Sequence, residues 1–391
     1  MKKKLKICVL TGTRAEYGLL YWFIKCVKKD TNCALQLVVT GMHLSTEFGL
    51  TKQIIKKDNF TITKEVEMLL SSDSPRSIAK STGIGMMGFA DVFEDLKPDI
   101  VVMLGDRFEL LAASYAATIA RIPIAHFHGG EATEGVIDEP TRHCLTKMSH
   151  IHFVATKDYR RRVIQLGEKP SSVHLVGGTG IENIKKLKLL SKLNLEKKLN
   201  FKFDKKNLLV TFHPVTLEKN TAEKQFLYLI KALDNFKNIK IIFTKPNSDT
   251  EGRIIIKMID EYVSKNSNRA ISFINMGQLL YLSSLQYIDG VIGNSSSGLL
   301  EVPSFKIGTI NIGDRQRGRI KGDSVIDCLN DKNSIIKSIN KLYSNKFKKI
   351  LKKSVNPYDY GESSVKSLKI IKKTNLKKII KKKFFDINFD I

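Results

Sequence analysis

A dense run of acids and histidines occupies residues 126–143, with the sequence HFHGGEATEGVIDEPTRH. It directly follows IPIA, an apolar segment that is typical of a buried strand. Acids at the carboxyl end of a parallel strand lie where an open α/β sheet binds its ligand. A structural loop would not need so many carboxylates beside one another, so the run is a candidate for acid–base chemistry. Its four acids are Glu131, Glu134, Asp138 and Glu139.

The same run also allows simpler interpretations. Asp138 and Glu139 precede Pro140, which favours the first turn of a helix, and acids there compensate the helix dipole. The dipole accounts for one of the two acids, and less easily for the whole set. His126 and His128 fall on one strand face, but no carboxylate or cysteine stands at ligand spacing from them. The sequence therefore predicts no metal site.

A second acidic motif, LGDRFE at 104–109, follows the apolar run DIVVML. Asp106 falls at the carboxyl end of this predicted strand, where it could act as an acid or a base. It could equally cap the helix that follows, because Asp is a common capping residue. Both interpretations stay open on this motif alone.

Two further strand ends carry basic side chains that suit a phosphate. GTRAEYG at 12–18 places Arg14 where the first strand turns into a helix, and a helix N-terminus with an arginine beside it favours an anion. The motif is not the dinucleotide fingerprint G-x-G-x-x-G, and Arg14 could instead form a surface ion pair. His213 follows a later strand, where it is either a loop residue or a phosphate donor.

The run GNSSSGLLEVP at 293–303 is the strongest anion-binding motif. Ser296 and Ser297 offer backbone N–H groups and hydroxyls at the start of a helix, which is the arrangement of an anion nest. No lysine follows, so the run is not a Walker A loop. Glu301 lies one turn further along, where a carboxylate could hold a ribose diol, and Arg315 follows near the same sheet edge.

The apolar pattern supplies the scaffold for these motifs. Strand-like runs alternate with helical patterns, which predicts βαβ units and parallel sheets. In the first half, the predicted strands are 5–10, 34–39, 99–104, 122–127, 151–155 and 173–176, with helices near 17–29, 44–57, 76–96 and 107–120. In the second half, the predicted strands are 208–212, 239–243, 270–274, 290–293 and 307–312, with helices near 221–236, 251–263 and 277–286.

The predicted fold class is therefore α/β, with two doubly wound, Rossmann-like domains. Residues 1–180 form the domain with the acids, and residues 181–360 form the domain with the anion-binding motifs. Residues 361–391 form a basic helix and an apolar tail, which either packs back on the first domain or frays.

The net charge of +26 raises the question of nucleic-acid binding. Of the 65 basic residues, however, 52 are lysine, whereas arginine is the better reader of grooves and phosphates. The lysines gather in a terminus, a linker and a tail, without the aromatic interleaving of a stacking surface. We therefore expect a solvated surface and no nucleic-acid partner, and a nucleic-acid-binding protein remains the alternative of a different class.

Composition also bears on the compartment. No apolar run approaches the roughly 18 residues that cross a bilayer. The basic N-terminus leads into a short apolar run and a glycine turn without a cleavage site, which favours a first strand over a signal peptide. The five cysteines are odd in number and form no C-x-x-C, as expected for reduced thiols. We expect a cytoplasmic protein with no membrane partner.

Taken together, the motifs resemble those of the hydrolysing UDP-N-acetylglucosamine 2-epimerases of sialic-acid-type sugar biosynthesis. The resemblance covers nearly all of residues 5–320 in order. It rests on GTRAEYG, TGMHLS, LGDRFE, HFHGGEATEGVIDEPTRH, LTKMSHIHFVAT, FHPVT, NSSSGLLEVP and NIGDRQRGR. It implies a glycosyltransferase-B-like fold with the sugar nucleotide in a cleft between two Rossmann-like domains, a homodimer or homotetramer, and neither a metal nor another cofactor.

The resemblance also implies roles for the candidate residues. The catalytic carboxylates would be Asp106, Glu131, Asp138 and Glu139. The UDP contacts would be Arg14, His213, Asn247, Ser296, Ser297, Glu301 and Arg315, with Glu301 on the ribose. The four acids outnumber the roles that the family chemistry needs, so the division of labour among them stays open.

The implied reaction is elimination of UDP to a 2-acetamidoglycal, followed by addition of water with inversion at C2. UDP-N-acetylglucosamine, giving an N-acetylmannosamine-type product, is the first expectation for the substrate. A UDP- or GDP-linked 2,4-diacetamido-6-deoxy sugar is the alternative, because this sugar differs from N-acetylglucosamine at C4 and C6. A glycosyltransferase of the same fold is a further alternative, although it has less need of so dense a carboxylate cluster.

Overall fold

The structure, a computed structural model, describes residues 3–72, 74–133, 137–215, 218, 221–246 and 252–388. Within this part of the chain two compact units are distinguished. The first comprises Met1–Glu131, Asp138–Asn183 and Tyr358–Ile391, and the second comprises Ala132–Ile137 and Ile184–Pro357. Each unit holds one parallel sheet with helices packed on it.

The sheet of the first unit has the strand order β3-β2-β1-β4-β5-β6-β7, with every pairing parallel. The strands are β1 Leu5–Thr11, β2 Cys33–Thr40, β3 Lys64–Val66, β4 Ile100–Leu104, β5 Ile124–Phe127, β6 Ile151–Val154 and β7 Val173–Leu175. The helices are α1 Arg14–Lys29, α2 Lys52–Lys57, α3 Pro75–Leu96, α4 Phe108–Ile119, α5 Asp138–Met148, α6 Lys157–Gln165 and α7 Thr179–Lys186, with 3₁₀ turns at Gly41–Leu44 and Pro170–Ser172.

Apolar residues on both faces of this sheet explain why it lies between two helix layers. Val9 and Val102 pack with Phe23 of α1 on one face, and Val101 and Met103 pack with Phe89 of α3 on the other. Strands buried on both faces read as continuous apolar runs, as β4 does. The sheet is therefore buried on both faces.

The second unit repeats the same design. Its sheet has the parallel order β10-β9-β8-β11-β12-β13. The strands are β8 Asn207–Thr211, β9 Lys240–Thr244, β10 Ala270–Phe273, β11 Gly290–Gly293, β12 Gly308–Ile312 and β13 Val325–Cys328. The helices are α8 Lys192–Leu199, α9 Ala222–Leu233, α10 Gly252–Lys265, α11 Gly277–Ser284, α12 Ser297–Leu300, α13 Lys332–Tyr343 and α14 Asn345–Lys353, with a 3₁₀ turn at Val302–Phe305.

The C-terminal segment belongs to the first unit. It contains α15 Ser363–Lys373 and α16 Leu376–Ile379, and α15 packs against α1. Leu368 and Ile371 of α15 join the apolar core on the α1 side of the sheet. The Glu182 carboxylate accepts a 3.0 Å hydrogen bond from the backbone N–H of Ser364, in the first turn of α15.

The α/β class with two doubly wound sheets is confirmed, and each predicted strand is present. Two strands were missed, β3 and β13, which are the short outer strands of their sheets. The helix predicted near 44–57 is wrong over its first half. Gly49 and Leu50 have φ values of 81° and 45°, which interrupt a right-handed helix, so α2 begins only at Lys52. Over the described residues no helix is long and apolar enough to cross a membrane.

Candidate active site

Several of the candidate residues stand at the point where each sheet reverses its strand order, and others follow the adjacent strands β5 and β12. This point lies between β1 and β4 in the first unit and between β8 and β11 in the second. Doubly wound sheets bind ligands at the carboxyl ends of these strands. Arg14 and Asp106 follow β1 and β4, and His213 and Ser296 follow β8 and β11. The two sets of residues are described separately below.

In the first unit, Arg142 gathers the acids. Its side chain is 1% exposed in the middle of α5. Nε donates to Oδ2 of Asp106 at 2.9 Å, and Nη2 donates to the same carboxylate. Nη1 donates to Oε2 of Glu139 at 2.5 Å and to the carbonyl oxygen of Glu131 at 2.8 Å. Asp106 and Glu139 are therefore held on one guanidinium, which the sequence analysis did not single out.

The charge on Arg142 is secured by these neighbours. Burial alone would lower the pKa of Arg142, but Asp106, Glu131 and Glu139 outweigh burial and raise it. The guanidinium therefore stays charged, and its rigid fork sets the positions of both carboxylates. The sequence signal was available, since Arg142 lies one helical turn after Glu139.

Glu131 lies in a second, buried arrangement. Its Oε1 is 3.1 Å from Nδ1 of His128, and Nε2 of His128 is 3.1 Å from the Thr179 hydroxyl. His128 has a φ of 67°, a left-handed conformation that few residues other than glycine adopt, although histidine is among those that adopt it more often. A carboxylate and an imidazole in contact can exchange a proton, which is the chemistry that general acid–base catalysis needs.

Asp138 lies near a different arginine. Burial alone would lower the pKa of Arg107, but Glu109, Glu16 and Asp138 outweigh burial and raise it. Arg107 donates to both oxygens of Glu109, with Nε to Oε2 at 3.1 Å and Nη2 to Oε1 at 3.0 Å. Asp138, which begins the same helix as Glu139, therefore contributes its charge to the surroundings of Arg107.

Glu16 organises the loop that carries Arg14. Its Oε2 accepts from the backbone N–H groups of Gly12 at 2.7 Å and Thr13 at 3.2 Å, and the Thr13 hydroxyl accepts from Glu16 N at 3.2 Å. This is a capping box at the start of α1. Burial, followed by the charge of Glu109, raises the pKa of Glu16 to about 8. The T-x-x-E spacing within GTRAEYG was the signal for it.

We expect the raised pKa of Glu16 to make the protein less stable as the pH rises from about 5 to about 9. The folded pKa of about 8 exceeds the ordinary pKa of a glutamate, 4.5, so the folded state holds the proton more tightly. Its contribution is complete below the unfolded pKa and is lost as the pH rises through the folded one. Glu16→Gln keeps an acceptor oxygen without the charge, so its urea midpoint should fall less over this range.

The matched control is Glu94→Gln, because the Glu94 side chain is 82% exposed. Its midpoints should follow those of the unaltered protein at each pH. A pH dependence in Glu16→Gln as steep as in the unaltered protein would show that Glu16 is ionised in the fold.

His126 and Gly130 of the acidic run have structural roles. Nε2 of His126 donates to the carbonyl oxygen of Gly105 at 2.7 Å, and burial lowers the pKa of His126 to about 4. A Cβ on Gly130 would lie 2.4 Å from the Tyr159 carbonyl oxygen, so this glycine permits close packing against α6. Across the described ranges, no group of three or more His, Cys, Asp or Glu side chains is placed to hold a metal ion.

In the second unit, Asn294 connects the loops after β8 and β11. Its Oδ1 accepts from the backbone N–H of His213 at 2.7 Å, and its Nδ2 donates to the His213 carbonyl at 2.8 Å. Its own carbonyl accepts from Nη1 of Arg315 at 3.1 Å and from Nε2 of Gln316 at 2.9 Å. His213 and Arg315 are thus positioned on one buried asparagine.

Gly293 allows the chain to turn into this loop. Its φ is 139°, and a Cβ there would lie 1.8 Å from the Thr211 carbonyl oxygen. No other residue fits that close approach of backbone to backbone. The glycine therefore ends β11 and delivers Asn294 and the serines to the sheet edge.

Ser297, the first residue of α12, forms a hydrogen-bonded pair with Glu301, the residue that follows the helix. The Ser297 hydroxyl donates to Oε2 of Glu301 and lies 2.7 Å from the Tyr281 hydroxyl. Burial raises the pKa of Glu301, and the bond from Ser297 opposes that rise. Ser296 precedes α12 and makes no side-chain capping bond to it. Tyr281 was not predicted, because it lies on α11, which precedes β11 and is separate from the serine motif in the chain.

A cavity of about 430 Å³ opens beside Asn294 in this unit. Its lining includes Gly313, Asp314 and Arg317, which follow β12, and Asn330, which follows β13. The volume lies in the range of small-molecule pockets. The carboxyl edge of the second sheet therefore offers both hydrogen-bond donors and space.

The remaining candidates are less defined. Arg14 is the first residue of α1 and is half-buried, and burial lowers its pKa. Glu134 and Asn247 lie outside the described residues, so their predicted roles stay predictions.

We expect Ser296→Ala with Ser297→Ala to weaken UDP binding by about tenfold, because the Ser296 hydroxyl is lost as a donor to a diphosphate and Glu301 loses the hydrogen bond from Ser297. Isothermal calorimetry with UDP measures this directly. Ser264→Ala is the matched control, since Ser264 is an exposed serine on α10. Equal affinities in the double variant and the control would mean that the serines serve only the local structure.

Comparison with known proteins places this arrangement in a family. A model of the UDP-N-acetylglucosamine 2-epimerase family matches residues 25–372. A Campylobacter jejuni protein named GDP/UDP-N,N'-diacetylbacillosamine 2-epimerase (hydrolyzing) is 43% identical over 98% of this chain and 100% of its own length. An Escherichia coli polysialic acid biosynthesis protein, P7, is 40% identical over 94% of this chain and 93% of its own.

A Legionella pneumophila protein named UDP-N,N'-diacetylbacillosamine 2-epimerase (hydrolyzing) is 39% identical over 82% of this chain and 84% of its own. Among solved structures, UDP-GlcNAc 2-epimerase from Neisseria meningitidis bound to UDP-GlcNAc has a TM-score of 0.80 at 18% identity, covering 95% of this chain and 100% of that one. This likeness confirms the expected glycosyltransferase-B-like fold. The chain belongs to the UDP-N-acetylglucosamine 2-epimerase family.

Proposed function

We propose that the protein is a hydrolysing 2-epimerase whose substrate is a nucleoside-diphosphate-linked 2,4-diacetamido-6-deoxy sugar. The products are the free nucleoside diphosphate and the free sugar inverted at C2. The observation that carries the choice of sugar is the full-length, 43% identical relative whose name gives N,N'-diacetylbacillosamine as its substrate. This supports the alternative of the sequence analysis over UDP-N-acetylglucosamine, its first expectation.

The acids of the first unit supply the chemistry in this proposal. A carboxylate removes the C2 proton, the C1–O bond breaks, and the nucleoside diphosphate departs with the bonding electrons. Water then adds across the double bond of the glycal, with OH at C1 and a proton at C2 from the opposite face. Asp106 and Glu139 on Arg142, and Glu131 on His128, supply negative charge for an oxocarbenium-like state and groups for both proton transfers.

The second unit supplies the diphosphate site in this proposal. Arg315, His213 and the serines after β11 offer donors to the oxygens that gain charge as the C1–O bond breaks. In this proposal Glu301, which accepts a hydrogen bond from Ser297, also accepts one from the ribose. The reaction as written uses no redox step and no metal-bound group.

The experiment is a panel of sugar nucleotides, each assayed in the presence of EDTA. The panel holds UDP- and GDP-linked N,N'-diacetylbacillosamine and UDP-N-acetylglucosamine, and the products are read by mass spectrometry and proton NMR. We expect kcat/KM to be highest for a diacetylbacillosamine nucleotide by about a hundredfold, since contacts at C4 and C6 must discriminate. Preferred turnover of UDP-N-acetylglucosamine would reject the proposed sugar, and transfer to an acceptor without hydrolysis would reject the class of reaction.

UDP-N-acetylglucosamine is kept in the panel for a specific reason. The 40% identical relative is named for polysialic acid biosynthesis, and a product with an N-acetylmannosamine configuration would suit such a role. The two candidate functions differ only in the sugar, so one panel decides between them.

A further inference from the structure

The chain after α16 passes beside the C-terminus of α5, whereas Asp138 and Glu139 lie at the N-terminus of this helix. Nζ of Lys382 donates to the carbonyl oxygens of Lys147 and Ser149, each at 2.6 Å, and approaches that of Thr146 at 3.3 Å. The last carbonyls of a helix lack partners within the helix. A cation there satisfies them and also complements the negative end of the helix dipole. Lys382 is therefore the cap of α5.

Lys382 is itself held by a buried carboxylate. Its Nζ is 2.8 Å from Oε2 of Glu168, whose side chain is 2% exposed. Lys147 and His152 also contact Glu168, at 2.7 Å and 3.0 Å. Burial alone would raise the pKa of Glu168, but the bonds from His152, Lys147 and Lys382 lower it to about 2. The cluster thus presents a permanent anion that fixes the ammonium under the helix.

The residues next to Lys382 anchor the segment further. The backbone N–H of Phe385 donates to the Gly167 carbonyl at 2.9 Å. Gly167 has a φ of 84°, and a Cβ there would lie 2.2 Å from the ring of Phe384. Nζ of Lys147 lies 4.9 Å from the centre of the same ring. The chain after α16 is therefore seated at a specific place, beside the end of α5.

Helix α5 connects the contacts of Lys382 at its C-terminus to the acids at its N-terminus. It is about 16 Å long at 1.5 Å per residue, and it carries Asp138 and Glu139 in its first turn and Arg142 in its middle. A shift of the helix along its axis moves all three side chains relative to Asp106, which belongs to a different loop. Small displacements of positioned groups cost large factors in rate.

We propose that Lys382 is a positioning residue for the reaction, which acts through α5 on the carboxylates that Arg142 gathers. The C-terminal segment then contributes to turnover from the far end of the helix, without contributing to nucleotide binding. This inference rests on the proposed function, since it takes these acids as the catalytic ones.

The test compares Lys382→Met, Lys382→Arg and Lys383→Met in the full chain, with the sugar nucleotide that the unaltered protein hydrolyses fastest. Lys383 is the matched control, being the exposed neighbour. We expect Lys382→Met to lower kcat by about tenfold while KM stays within about twofold. Lys382→Arg, which keeps charge and donors, should restore most of the rate, and Lys383→Met should match the unaltered protein.

Hydrogen exchange of the backbone amides of α5 provides a readout without turnover. Lys382→Met should speed exchange over the last turns of α5 and leave α3 unchanged, whereas Lys383→Met should change neither. A kcat in folded Lys382→Met within about twofold of the unaltered protein would overturn the inference, as would a loss of rate that Lys382→Arg shares in full.

Two further outcomes are separable. If Lys382→Met does not fold, Lys382→Gln takes its place, since glutamine keeps a hydrogen-bond donor at this position without the charge. A drop of about threefold in its kcat, with KM unchanged, supports the inference, and an unchanged kcat overturns it. If the unaltered protein hydrolyses no member of the panel, the proposed function fails, and the exchange data alone decide whether Lys382 secures α5.

Discussion

Asp106→Asn is expected to lower kcat by about a hundredfold while the protein stays folded. Asparagine keeps the shape of the side chain and an oxygen that can accept from Arg142. It lacks the negative charge that an oxocarbenium-like transition state requires, and it cannot take a proton. The loss should appear in kcat more than in KM, because the charge acts on the transition state.

Steady-state kinetics with the preferred sugar nucleotide, together with a thermal melt, measures this effect. Asp91→Asn, at an exposed position of α3, is the matched control and should be indistinguishable from the unaltered protein. Glu131→Gln and Asp138→Asn should lower kcat by at least about tenfold each. Turnover near the unaltered rate in any one of these variants would remove that residue from the catalytic set.

Arg142→Met is expected to destabilise the fold by about 3 kcal/mol and to lower kcat by more than Asp106→Asn does. The change removes a buried cation and leaves Asp106 and Glu139 facing each other without it. Removing one partner of a buried ion pair costs more than the pair contributes, because the remaining charge stays poorly solvated. Arg142→Lys should recover part of the stability but little of the rate, since lysine lacks the fork that holds both carboxylates.

Urea unfolding gives the stability change, and the matched control is Arg161→Met. Arg161 forms an ion pair with Asp158 in which the two side chains are 79% and 57% exposed, so its loss should change the free energy of unfolding by less than about 0.5 kcal/mol. Equal stabilities for Arg142→Met and Arg161→Met would show that Arg142 does not organise the acids as the structure places it.

Much of the fold could be predicted because parallel strands that are buried on both faces have continuous apolar sequences. DIVVML and GVIG needed no neighbours to be recognised, and they became β4 and β11. The strands β3 and β13 were missed because their short segments, KEV and VIDC, carry charged residues in place of an unbroken apolar run. Gly49 was a signal for the break before α2, whereas the left-handed backbone at Leu50 cannot be read from its residue type.

The sequence predicted the sheet edge at which the candidate residues lie, but not the side chains that they contact. Strand order places Asp106 and Ser296 at the switch points of their sheets, and alternating strands and helices already implied such edges. The partners could not be read in the same way. Asn294 and Tyr281 are ordinary residues in the sequence, and they gain their roles only when separate elements pack together. The spacing of Arg142 indicated its pairing with Glu139, but not its bond to Asp106, which belongs to another loop.

The central claim is that the protein hydrolyses a sugar nucleotide with inversion at C2 through elimination. One measurement tests it most directly, namely the reaction of the preferred sugar nucleotide in heavy water and in oxygen-18 water, followed by NMR and mass spectrometry. We expect the free nucleoside diphosphate and a free sugar that carries deuterium at C2 in the inverted configuration and oxygen-18 at C1. The nucleoside diphosphate should carry no oxygen-18, because water adds to carbon. A product that still bears the nucleotide, or oxygen-18 in the nucleoside diphosphate, would contradict the account.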